Sequence, residues 1–155
     1  MSNVTPIYDA IKVAIEGIFT GVDSKVKIPN PYLLEENPLG LLKNSYGIAV
    51  GASESPPFEF CSTLQRRAFD IVLMRELVRL DSDTTIFENT EKLLLEDLKL
   101  LIDRFELPDQ IGVESNIENI DVGSCTGIEY LAGDDERFIT ITQTFFISWS
   151  ELIGA

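Results

Sequence analysis

Two groups of carboxylates in this sequence could take part in chemistry. Asp81 and Asp83 are separated by one residue and directly follow an apolar run. Asp134 and Asp135 follow Gly133 later in the chain. An aspartate can act as a nucleophile, and clustered carboxylates can hold Mg²⁺ because hard cations prefer oxygen ligands. Together the two groups would suit magnesium-dependent hydrolysis of a phosphate ester.

The spacing between these groups argues against that chemistry. The first pair resembles the first motif of the haloacid-dehalogenase-like phosphatases, and the second group resembles their magnesium-binding motif. That family needs several strand–helix crossovers between the two motifs, each of about 30 residues. Between Thr85 and Gly133 one long helix fills much of the chain. A calcium loop starting at Asp81 also fails, because its twelfth position is Lys92 instead of glutamate. The sequence favours two turns rich in aspartate.

Composition excludes further classes of function. The chain has no histidine, which removes the commonest general base and the commonest zinc ligand. Twelve basic and 26 acidic residues give a formal net charge of −14, and such a surface repels phosphate backbones and anionic membranes. The two cysteines, Cys61 and Cys125, have no metal-binding spacing and are expected to be buried or half-buried free thiols, with a disulfide as the alternative. We therefore expect no catalytic, cofactor-binding or metal-binding residue, and no enzyme.

Two amphipathic helices are predicted. The first covers about residues 5–19 and ends before Gly21, because its apolar residues recur at helical spacing. The second is capped by Asn89 or Thr90 and stops before Pro108. Its charged residues, Asp97 among them, are expected to lie mostly on the solvent face. Its apolar face comprises Leu94, Leu95, Leu98, Leu101, Ile102 and Phe105.

The rest of the chain reads as strands and turns. Short strands are predicted at residues 25–28 and 45–50. Residues 62–80 alternate in polarity with a period of two, which favours a strand, although a helix also fits part of the run. Three further strands are predicted at residues 117–122, 127–131 and 138–149. The element order predicts one α+β domain over residues 1–155, with a mainly antiparallel sheet and two helices packed on one face.

Two loops and one hairpin are candidate contact surfaces for a protein partner. The loops cover residues 29–44 and 51–60, and the hairpin lies near Gly133. Surface loops are seldom as apolar as the first one, which either folds back over the core or anchors a partner chain. The candidate interface residues are Tyr32, Leu33, Leu34, Leu39, Leu41, Pro56, Pro57, Asp134 and Asp135.

With this element order, the chain resembles the tail terminator proteins of long-tailed bacteriophages. The resemblance runs through most of the chain and is carried by the segments AFDIVLMREL, TEKLLLEDLKLLIDRF and IENIDVGSCTGIEYLAGDDERFITITQTFFISW. It implies a structural, non-catalytic virion protein without cofactors. Its copies would form a ring, typically of six, that caps the tail tube and joins it to the head connector.

The resemblance also implies partners and a location. The chain would contact itself, the tail tube protein and a head completion or connector protein, and DNA would pass through the ring without specific binding. An acidic lining suits that passage, because it repels the phosphate backbone. The protein would belong to the virion tail or neck, and to the host cytoplasm during assembly, with no membrane partner. The alternatives are an acidic cytosolic protein-binding module and a magnesium-dependent phosphatase.

Overall fold

The computed structural model describes residues 4–21, 24–34, 37, 44–53, 62–77, 85–106, 117–132 and 137–152. These residues form two helices and six strands. In chain order the elements are α1 (Val4–Ile18), β1 (Val26–Lys27), β2 (Asn44–Ser53), β3 (Ser62–Glu76), α2 (Thr85–Phe105), β4 (Ile117–Cys125), β5 (Glu129–Ala132) and β6 (Arg137–Leu152). This composition confirms the predicted α+β class.

The two helices agree with the sequence pattern to different degrees. Helix α1 lies within one residue of its predicted bounds, and Gly21 follows it with a φ of 67°, a left-handed conformation that favours glycine at a helix end. Helix α2 begins at Thr85, so the predicted caps Asn89 and Thr90 lie inside it. That prediction was wrong because both residue types are good caps but are also tolerated inside a helix.

The six strands form one mixed sheet, in which five follow the order β1-β2-β3-β6-β4 and β5 pairs with β6 off this path. Strand β1 pairs with β2 in parallel, while the β2–β3, β3–β6, β4–β6 and β5–β6 pairs are antiparallel. Strand β5 pairs with the same side of β6 as β4, since β3 occupies the other side along its whole length. The sheet therefore has β1 at one edge and β4 followed by β5 at the other.

The long run after residue 61 is a strand, as its period of two predicted. All 15 residues of β3 pair with β6, from Ser62 opposite Leu152 to Glu76 opposite Phe138. A helix would have buried only one stripe of this run, whereas both faces of the strand are buried near its centre, with Ile71 on one side and Val72 on the other. This pair of strands is the centre of the sheet.

The main hydrophobic core joins both helices to the sheet. Phe105 of α2 packs against Phe145 of β6, with ring centroids 4.5 Å apart. A smaller cluster of Ile28, Met74 and Phe138 is separate from this core, and Leu34 and Leu131 pack against it. The main cluster comprises Ile7, Ile11, Ala14, Ile15, Phe19, Tyr46, Ile48, Phe69, Ile71, Leu73, Leu77, Leu94, Leu101, Phe105, Ile120, Ile139, Ile141, Phe145, Ile147 and Trp149.

A buried glutamine holds the edge strand β4 where its pairing becomes irregular. Gln143 shares the face of Ile141 and Phe145 but is polar and only 2% exposed. Its amide nitrogen donates to the carbonyl oxygens of Gly123 (3.0 Å) and Thr144 (2.9 Å). Between Val122 and Cys125 the pairing register shifts, so the glutamine meets carbonyl groups there.

The close approach at Gly123 gives a testable prediction. A Cβ atom at Gly123 would lie 2.7 Å from Cε2 of Phe146 and 3.1 Å from the carbonyl oxygen of Thr144. Because one of these neighbours is backbone, we expect Gly123→Ala to lower the free energy of unfolding by about 1–3 kcal/mol. Gly127→Ala is the matched control, since no atom lies within 4 Å of its Cβ position. Equal urea midpoints for the two variants would contradict this account.

Candidate functional site

The carboxylates that could do chemistry lie outside the described residues. This holds for Asp81, Asp83, Asp134 and Asp135, and equally for four of the interface candidates, namely Leu39, Leu41, Pro56 and Pro57. Across the ranges that the structure describes, no three His, Cys, Asp or Glu side chains are grouped so that they could hold a metal ion. Three interface candidates remain in the described part: Tyr32, Leu33 and Leu34.

Two asparagines fix the chain around these three residues. The side-chain oxygen of Asn30 accepts hydrogen bonds from the backbone N–H groups of Tyr32 (3.1 Å) and Leu33 (2.9 Å). Asn37 is only 4% exposed, and its Oδ1 accepts from the N–H of Asn30 at 2.8 Å. Its Nδ2 donates to the carbonyl oxygens of Asn30 (2.8 Å) and Leu34 (2.9 Å). These bonds give the segment a defined shape that does not depend on regular secondary structure.

The three candidates differ in burial, so the loop folds back over the sheet only in part. Tyr32 is 67% exposed and Leu33 is 46% exposed, while Leu34 packs against the smaller hydrophobic cluster. The hydroxyl oxygen of Tyr32 accepts a hydrogen bond from the N–H of Val50 (3.2 Å), so its ring stands at the edge of β2. The loop thus covers part of the sheet and presents Tyr32 and Leu33 to solvent.

The opposite edge of the sheet also exposes apolar side chains. Val122 in β4 is 43% exposed and Tyr130 in β5 is 50% exposed. The acidic residues Glu118, Asp121 and Glu129 are exposed along the same edge. No candidate residue had been placed here from sequence except at the nearby hairpin. No regular alternation marks this edge, because Tyr130, Leu131 and Ala132 follow one another directly in β5.

A buried ion cluster ties α2 to the sheet. Asp97 accepts a bidentate interaction from Arg75, with Nε–Oδ2 at 2.6 Å and Nη2–Oδ1 at 2.9 Å. Its Oδ2 also lies 3.1 Å from Nζ of Lys25, whose side chain is fully buried. Nζ of Lys25 further donates to Oδ1 of Asn44 (2.6 Å) and lies 5.2 Å from the ring centre of Phe19. Charge-assisted bonds of this kind fix the position of α2 relative to β3 and to the segment before β1 that carries Lys25.

Sequence reasoning missed this cluster. The helical pattern grouped Asp97 with the charged residues of the solvent face of α2. This prediction was wrong, since Asp97 is only 4% exposed. Its spacing from Leu94 and Leu101 places it on the buried stripe of the helix, which is the signal that could have found it. The partner Lys25 is distant in sequence, so no local pattern joins the two residues.

A buried tyrosine joins β2 to α1. Tyr46 is 1% exposed, and its hydroxyl donates to Oε1 of Glu16 at 3.2 Å. Burial, and after it the negative charge and hydrogen bond of Glu16, raise the pKa of Tyr46 far above its usual value. Because the folded pKa is raised, the phenol stabilises the fold fully below the pKa of the unfolded chain, and this contribution is lost as the pH rises from that value through the raised pKa of the folded protein.

This shift predicts an alkaline loss of stability that depends on one residue. The free energy of unfolding should fall above about pH 10, the usual tyrosine pKa, and Tyr46→Phe should remove much of that slope. At neutral pH the same variant should lose about 1 kcal/mol with its hydrogen bond. Tyr130→Phe is the control, since Tyr130 is half exposed. Urea unfolding across this pH range measures both, and an unchanged slope in Tyr46→Phe would contradict the assignment.

The face of the sheet opposite to Phe69 and Ile71 carries a mixed cluster. Nη2 of Arg66 lies 3.4 Å from Oδ2 of Asp121. The guanidinium of Arg66 also stacks 4.8 Å from the ring centre of Phe146. This cluster links β3, β6 and β4, and the charge of Arg66 partly compensates the charge of Asp121.

Two smaller findings complete the described surface. Cys125 is a free thiol, but it is exposed, so its predicted burial was wrong. Desolvation of the thiol raises the pKa of Cys125, while Cys61 lies outside the described residues. Neither described helix is long and apolar enough to cross a membrane.

No protein-family model matches the chain, and no curated protein matches it.

Proposed function

We propose that this chain is a structural protein of a long-tailed bacteriophage, a tail terminator. Its copies form a ring, typically of six, that caps the tail tube and joins it to the head connector. The protein acts through contacts with itself, the tube and the connector, in the tail or neck of the virion, after assembly in the host cytoplasm. DNA passes through the ring without specific binding.

The observation that carries the proposal is the apolar loop whose shape is fixed by hydrogen bonds of Asn30 and Asn37. A loop that exposes Tyr32 and Leu33 in a defined shape is suited to a pocket on another chain, because little conformational entropy remains to be lost on binding. The segments that carry the resemblance correspond to β3, α2 and β4 to β6, which make up most of the fold. The net charge of −14 supports a DNA channel that does not hold its cargo.

The finer architecture belongs to the same proposal. We infer a sheet that is mainly antiparallel, with β1 as its parallel strand, and two helices that cover one face. In support, α1 contributes Ile11 and α2 contributes Leu101 to the same cluster as Phe69 and Ile71 of β3. On the other face of β3, Asp70 accepts a hydrogen bond from the hydroxyl of Thr144 at 2.5 Å, and Val72 and Met74 are buried there.

Electron microscopy of the purified protein, alone and mixed with tail tubes, tests the function. We expect rings in negative stain, or monomers that form rings at tube ends and stop tube growth. A small oligomer of fixed size that ignores tubes would favour the second candidate, an acidic protein-binding module using the same loop. Magnesium-dependent hydrolysis of a phosphate ester that Asp81→Asn abolishes would replace both with the phosphatase.

A further inference from the structure

We propose that copies of this chain associate head to tail, with the β1 edge of one copy docked on the β4–β5 edge of the next. This inference rests on the proposed ring and names the surfaces that build it. The first edge is defined by Val26, Lys27, Tyr32 and Leu33. The second edge is defined by Glu118, Val122, Glu129 and Tyr130.

Apolar exposure supports the pairing of these two edges. On the first edge Val26 is 51% exposed, next to the exposed side chains of Tyr32 and Leu33. On the second edge Val122 and Tyr130 are exposed to a similar degree. Half-exposed aliphatic and aromatic side chains of this kind form the centre of protein interfaces once a partner excludes water.

Charge decides which edge meets which. Lys27 lies on the outermost strand of the first edge, with Nζ 5.5 Å from the ring centre of Tyr8. Glu129 is exposed on the second edge and presents a negative charge there. Two first edges would bring lysines together and two second edges would bring glutamates together, and such like-charge contacts are costly. Opposite edges instead attract each other.

The strand order makes the contact repeatable. Strand β1 lies at one edge of the sheet, and strands β4 and β5 lie at the opposite edge. Each copy therefore has one edge of each kind. A contact between unlike surfaces can be repeated indefinitely, and it closes into a ring when the rotation between neighbours allows it. Strand β1 has only two residues and β4 carries register shifts, so side chains contribute more to the contact than a long backbone ladder does.

Charge reversal tests the contact by association measurements. We expect Lys27→Glu and Glu129→Lys each to weaken self-association by about tenfold, measured by analytical ultracentrifugation, because each creates a like-charge contact. The double variant Lys27→Glu/Glu129→Lys should recover most of the loss. The matched control is Lys99→Glu with Glu96→Lys on the exposed side of α2, which should leave association unchanged.

Cysteine crosslinking then separates this inference from the ring itself. In a Cys61→Ser/Cys125→Ser background, Val26→Cys combined with Tyr130→Cys should form covalent ladders on oxidation. Val26→Cys or Tyr130→Cys alone should form none beyond a dimer. Rings in the microscope without ladders, and without an effect of charge reversal, would overturn the edge contact and leave the tail terminator intact. Ladders without rings on tail tubes would keep the edge contact and overturn the proposed function.

Discussion

Asp97→Asn should lower the free energy of unfolding by about 3–5 kcal/mol, because it leaves two cations in the interior without their shared carboxylate. The side chains of Lys25, Asp97 and Arg75 are 0%, 5% and 16% exposed, so water cannot replace the lost charge. Such a loss approaches the whole stability of a small domain, about 5–15 kcal/mol. Urea unfolding followed by circular dichroism measures it.

A surface pair on the same helix is the matched control. Glu88 and Lys92 lie one helical turn apart, with Oε1–Nζ at 2.9 Å and both side chains 65% exposed. Glu88→Gln should cost no more than about 0.5 kcal/mol, since solvent screens such pairs. A loss of similar size in Glu88→Gln and Asp97→Asn would show that burial of the cluster does not set its strength.

A triple variant distinguishes stranded charge from lost packing. In Lys25→Met/Arg75→Met/Asp97→Leu no ion remains, and apolar replacements of similar volume are often close to neutral. We therefore expect it to unfold at a higher urea concentration than Asp97→Asn. If the triple variant is the less stable of the two, the hydrogen bonds to Asn44 and the helix position, and not uncompensated charge, explain the role of Asp97.

The centre of the fold follows from local sequence pattern, and its ends do not. Alternation in residues 62–80 and 138–149 predicts two strands, and their complete pairing adds a register that alternation alone cannot supply. Helix α2 shows the limit, because its start depends on which of several polar residues becomes the cap. Thr85 is the first helical residue, although Asn89 offers the stronger local signal.

The candidate surfaces show the same limit at the level of single residues. Leu33 and Leu34 are neighbouring residues of the same type, so no sequence pattern distinguishes them. Leu33 is exposed, whereas Leu34 packs against the cluster of Ile28, Met74 and Phe138. Their difference comes from the turn that Asn30 forms and from the buried amide of Asn37. The sequence predicts that this loop is unusual, and side-chain-to-backbone hydrogen bonds within the loop decide which leucine is exposed.

That difference gives the prediction with the largest expected effect on function. Leu33→Asp should abolish ring formation at tail tubes, because it places a charge in the apolar centre of the proposed contact. Its free energy of unfolding should stay within about 0.5 kcal/mol of the original protein, since the side chain is 46% exposed. Negative-stain microscopy of protein mixed with tubes measures the first effect, and urea unfolding measures the second.

The neighbouring residue provides the control for the same chemical change. Leu34→Asp places a carboxylate against an apolar cluster, so we expect it to lower stability by about 2 kcal/mol or more. A protein that loses assembly in Leu33→Asp and stability in Leu34→Asp uses the loop both as a contact surface and as a cover. Loss of folding in both variants would place Leu33 in the core and remove the loop from the interface. Normal rings in Leu33→Asp would show that the ring is built from other surfaces.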